Sequence, residues 1–63
     1  MTTLKQPVSQ LLTIKETAHE LRVSEKTVRR WIETRELIAH KLGRQWRISW
    51  EDLANFVKIR RQV

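Results

Sequence analysis

Only three residues, Arg22-Val23-Ser24, separate two stretches of helical apolar periodicity, and this shortness constrains the fold of the chain more than any other feature. Upstream, Thr13-Ile14-Lys15-Glu16 fits a capping box, with Thr13 as N-cap and Glu16 reaching back to it. Ile14, Ala18 and Leu21 then share a face at helical spacing, and the element ends near Arg22. Ser24 is a fresh N-cap for a second helix from Glu25 to about Thr34. There Val28, Trp31 and Ile32 make one apolar stripe, while Lys26, Arg29, Arg30 and Glu33 fall on the opposite face. Two short helices joined so tightly must cross, and the arrangement is that of a helix-turn-helix whose second helix can enter a DNA major groove.

The lone glycine marks the next constraint. Gly43 lies in the stretch LGRQWRI, and a single glycine there points to a turn that needs positive φ. Residues 38–48 fit a hairpin in two registers. A three-residue loop, Gly43-Arg44-Gln45, pairs Leu42 with Trp46, Lys41 with Arg47 and His40 with Ile48. It puts Ile38, Leu42, Trp46 and Ile48 on one face and Lys41 and Arg47 on the other. A two-residue Gly43-Arg44 turn would suit glycine at the first position of a type II′ turn, but it sets Trp46 beside Lys41. Because register generally follows the buried face, the three-residue loop is the preferred expectation. A last helix follows the N-cap Ser49, with Glu51 and Asp52 at its positive end and Lys58, Arg60 and Arg61 at its negative end. Trp50, Leu53, Phe56 and Val57 are its expected core face.

Composition narrows the function. The 63 residues suffice for one small domain, and no cysteine is present for a disulfide or a thiolate metal site. His19 and His40 stand alone, so neither a metal nor any other cofactor is expected. No apolar run is long enough for a membrane span and no signal-peptide pattern appears, so a soluble cytoplasmic protein is expected. Thirteen Lys and Arg against seven Asp and Glu give a net charge of +6. Residues 22–47 hold eight of those cations and three of the acids, the concentrated charge expected of a nucleic-acid binder. Thr13, Ser24 and Ser49 are caps rather than nucleophiles, and no Ser/His/acid grouping sits in a plausible pocket, so no enzyme is expected. The sequence divides into an N-terminal arm (1–10), a DNA-binding domain (11–61) and a short tail (62–63). The arm is expected to be mobile, with Lys5 its one cation.

Four pieces in order carry a resemblance: LLTIKETAHEL, VSEKTVRRWI, KLGRQWRI and SWEDLANFV. From Leu11 to about Arg60 the chain resembles the small winged-helix domains of the excisionase family, relatives of the MerR-type DNA-binding domain. The resemblance implies a mainly α winged helix-turn-helix with a small β-hairpin as wing. It also implies a function: copies on adjacent sites bend duplex DNA and favour integrase-mediated excision of a mobile element in a bacterial or phage setting. Such domains commonly carry glycine in the turn, where this chain has Arg22. That residue either takes a positive φ at a cost of about 1–2 kcal/mol or the turn differs. The long dimerisation helix and effector region of full-length MerR regulators are not expected here.

The candidate DNA contacts are Lys26, Thr27, Arg29 and Arg30 on the second helix and Lys41, Arg44, Gln45 and Arg47 on the wing. Arginine matches the guanine edge bidentately, so one of Arg29 and Arg30 is expected on bases and the other on phosphate. Glu33 is expected to orient Arg29 at i, i+4 spacing. Arg44 at the wing tip and Arg47 suit a narrow minor groove or the backbone. Trp31, Trp46 and Trp50 each lie on an apolar face, which favours core packing over base stacking. The chain is expected to be monomeric when free and cooperative on DNA, with an integrase as a candidate protein partner and Ile59 and Val63 as candidate contacts. A small MerR-like or AlpA-like transcriptional regulator is the alternative, and a protein-interaction adaptor the third reading.

Overall fold

The computed structural model describes residues 10–60; the expectations for residues 1–9, including Lys5, and for Arg61 and the tail lie outside the described residues. Three helices and a hairpin follow in order: α1 (Ile14–Leu21), α2 (Glu25–Glu33), β1 (His40–Leu42), β2 (Gln45–Arg47) and α3 (Trp50–Arg60). Each helix starts where a side chain satisfies a backbone donor that the helix leaves open. Thr13 and Glu16 form the reciprocal capping box, at 2.9 and 3.0 Å. Ser24 Oγ accepts from the Thr27 amide at 3.1 Å, and Ser49 Oγ from the Asp52 amide at 3.0 Å.

The first two helices end alike. The Val23 amide donates to the Ala18 carbonyl and the Arg22 amide to that of His19, which is the Schellman pattern. Glu36 to Trp31 and Arg35 to Ile32 repeat it at the end of α2. Both motifs require a left-handed residue, and arginine fills both places: φ is 57° at Arg22 and 63° at Arg35. The turn therefore keeps the glycine-type geometry, and Arg22 carries the strain.

Val28, Ile32, Leu37, Ile48, Leu53 and Phe56 meet Leu12 and Ala18 in one buried cluster. Thr17, on the inner face of α1, is fully buried with them. The Leu12 and Ile48 backbones exchange two hydrogen bonds of 2.8 Å, so the segment before α1 is clamped to the residue after the wing. That bridge corrects the expected pairing of Ile48 with His40.

The hairpin register also differs from the preferred expectation. The loop is the two-residue Gly43-Arg44, with Leu42 opposite Gln45, Lys41 opposite Trp46 and His40 opposite Arg47. Gly43 has φ +65° and Arg44 does not join it at positive φ, the pattern of a type II′ turn. Lys41 and Arg47 consequently lie on opposite faces of the ribbon. The pairing that looked unfavourable is a contact in its own right, since Lys41 Nζ stands 5.3 Å from the centre of the Trp46 ring. The premise of a common apolar face also fails, because Ile38 and Leu42 are exposed while Ile48 is fully buried.

On α3, Leu53 and Phe56 are buried as expected, but Trp50 and Val57 are about half exposed. Successive residues turn by about 100°, and the single layer beneath α3 covers only the stripe through Leu53 and Phe56. Trp50 and Val57 lie further round. Trp31 is half-buried, its ring centre 4.9 Å from that of Phe56 with the planes tilted by 49°. Arg60 lies over both rings and pairs with Glu36, closing the far end of α2 against α3.

Candidate nucleic-acid interface

A groove of about 420 Å³ opens between three elements. Thr13, Ile14 and Lys15 come from the start of α1, Glu25 and Arg29 from α2, and the stretch Arg44–Arg47 from the wing. Its position follows from the fold. The tight turn at Arg22 leads α1 directly into α2, whose Glu25 and Arg29 share the groove with the start of α1, and the Leu12–Ile48 bridge ties the segment before α1 to the end of the wing. Four cations, Lys15, Arg29, Arg44 and Arg47, face one acid, Glu25, across this space. Such an array attracts a phosphate backbone without requiring any particular base.

Arg29 Nη2 lies 3.9 Å from Glu25 Oε1, with both side chains about half exposed. The partner is thus the carboxylate one turn before Arg29, not Glu33 one turn after it. An acid N-terminal to its cation is the more favourable order on a helix. Both members of the pair line the groove that the wing also borders. Lys26 and Arg30 are exposed and stand opposite the buried stripe of Val28 and Ile32, outside the groove. Thr27 is only half-buried, and its hydroxyl lies 2.9 Å from that of Ser24, so it belongs to the cap of α2 as much as to the exposed face.

On the wing, Arg44 and Gln45 are exposed at the tip. Arg47 is half-buried and lies flat along its strand, donating to the Trp46 carbonyl at 3.0 Å and to Gln45 Oε1 at 2.5 Å. Gln45 thereby holds the arginine, and the two act as one unit. Lys41 faces away over Trp46 and takes no part in the groove. Lys15 is the residue that the sequence pattern did not single out. Its signal was a cation in the first turn of a helix, where the dipole disfavours positive charge.

A family model described as a helix-turn-helix domain matches residues 11–61. The chain belongs to that family. No curated protein and no solved structure matches. Membership makes the helix-turn-helix chain a sequence-specific DNA-binding protein. Among the described residues no helix is long and apolar enough to cross a membrane, and no group of acids and histidines could hold a metal ion.

Proposed function

We propose that this helix-turn-helix protein is an architectural DNA-binding factor of the excisionase type. In this reading, copies on adjacent sites bend the duplex and favour integrase-mediated excision of a mobile element, without catalysis by the protein itself. The observation that carries it is the basic groove between α2 and the wing. A helix in the major groove and a wing on the neighbouring backbone grip one strand from two sides, and the extra contacts offset the cost of bending. One copy spans few base pairs, so useful affinity comes from neighbours held at high effective concentration. The net charge of +6 opposes association of free copies, and neutralisation by DNA removes that barrier. Exposed apolar side chains on α3, notably Ile59, support a contact with a neighbouring copy or an integrase.

The test begins with a site selected from random duplexes. End-labelled DNA carrying one site or several is then titrated while end-to-end distance is followed by energy transfer. Tighter binding per site on the multiple array, together with a shortened duplex, is the expected result. Straight DNA and independent sites would instead favour a small transcriptional regulator on the same fold. Binding without sequence preference or salt dependence would favour the adaptor.

A further inference from the structure

His40 opens β1 at the base of the wing, and Asp52 lies in the first turn of α3. Their side chains are only 17% and 16% exposed, and His40 Nε2 is shut off from solvent. It stands 3.5 Å from Asp52 Oδ2, an ion-pair distance without hydrogen-bond alignment. A buried imidazole nitrogen facing a carboxylate is unfavourable if it carries a lone pair, better if it carries a proton, and best if the ring is positive. Across the ladder, His40 is opposite Arg47, whose positive charge opposes protonation. The Arg47 guanidinium, however, is turned along its own strand to the Trp46 carbonyl and Gln45. Lys41, next on β1, projects from the other face over Trp46. Asp52 is therefore the one acid set against His40 Nε2 among the described residues, and it comes from a different element.

The location gives that proton a consequence. β1 pairs only with β2 among the described strands, and the turn at Gly43 and Arg44 lies beyond it. A tie at the base of such a ribbon sets the angle at which Arg44 and Arg47 are presented to the groove. We propose that His40 and Asp52 are positioning residues, a proton-dependent tie that fixes the wing for DNA, so that protonation and DNA binding strengthen one another. The inference rests on the wing's contacting DNA.

Such coupling is reciprocal by linkage. Binding to a short mixed-sequence duplex should tighten between about pH 8 and about pH 5, where imidazole changes charge. Any added positive charge attracts DNA, and that general effect survives in Asp52→Asn. Beyond it, the wild type should gain about fivefold in affinity, the lower end of typical couplings. Calorimetry in buffers of different ionisation heat should show proton uptake on binding, and the uptake should vanish in Asp52→Asn. His40→Gln, which keeps an amide donor near Nε2, should retain affinity but lose the pH profile; His40→Leu should lose both. His19→Gln, on the outer face of α1, should leave the profile intact. Circular dichroism at each pH confirms that every variant is folded. Parallel pH profiles for the wild type and Asp52→Asn would overturn the tie while leaving DNA binding in place. Failure of the wild type to bind duplex at any pH would overturn the DNA reading itself.

Discussion

Arg22 shows how a single residue can contradict a local preference while the fold keeps its shape. Its backbone sits at φ 57° and ψ 45°, which glycine reaches without strain. Replacing it with glycine relieves about 1–2 kcal/mol and returns roughly 0.5–1 kcal/mol to the entropy of the unfolded chain. Arg22→Gly should therefore raise stability by about 0.5–1 kcal/mol, read as an increase in melting temperature; a decrease would mean that the side chain contributes more than its backbone costs. Thr17 presents the inverse case. Its hydroxyl is buried without a hydrogen-bond partner among the described residues, and nothing in the apolar pattern marked it as a core position. The sequence pattern identifies the caps, because a capping box depends on residues three apart. It is blind to Thr17, because a small polar residue is buried only by what folds over it. On α2, Arg29→Ala should cost about 1–3 kcal/mol of DNA binding with the fold unchanged. Equal affinity for wild type and variant in fluorescence anisotropy would remove Arg29 from the interface.

Elements were legible wherever one helix carried its own signal. The bounds of α1 and α2 follow from caps and apolar spacing, and both agree with the structure to within a residue. The wing was not legible in the same way. Its register was argued from a shared apolar face, yet that face is divided between solvent at Leu42 and a bridge to Leu12 at Ile48. A partner thirty-six residues away decides where Ile48 goes, and no local window contains that information. Glycine at the turn was the better guide. The connection between α2 and α3 depends likewise on a distant contact, that of Glu36 with Arg60. The Thr34 hydroxyl, 2.6 Å away, and then Arg60 hold the Glu36 carboxyl below its usual range. With a folded value below the unfolded one, the group stabilises the domain above the ordinary glutamate range, and the benefit is lost as pH falls through the lower folded value. Melting temperature followed downward from about pH 5 should drop less steeply in Glu36→Gln than in the wild type. Identical slopes would mean that Glu36 is no more than a solvated acid.

At the scale of the whole molecule, two opposed requirements meet. A domain this small has little stability to spare, yet it leaves Trp50, Val57 and Ile59 exposed and sets Lys15, Arg29, Arg44 and Arg47 around one groove. The charge disfavours the compact state through self-repulsion, and DNA is the partner that relieves it. Two consequences separate the groove from a merely solvated basic surface. Affinity for duplex should fall linearly on a logarithmic scale with salt, with a slope near −0.9 for each phosphate neutralised. Substituting Lys15, Arg29, Arg44 and Arg47 with alanine, one at a time, should each reduce that slope by about one unit, because each faces the same groove. Lys41→Ala, with its ammonium over Trp46, should leave the slope nearly unchanged. Salt titrations of these five variants on one duplex, with folding checked by circular dichroism, decide the matter. If Lys41→Ala shifts the slope as much as Arg44→Ala does, DNA meets both faces of the wing and the groove is not the seat of the backbone. If none of the five shifts it, the chain holds DNA through a different surface, and the convergence of α1, α2 and the wing is a property of the fold alone.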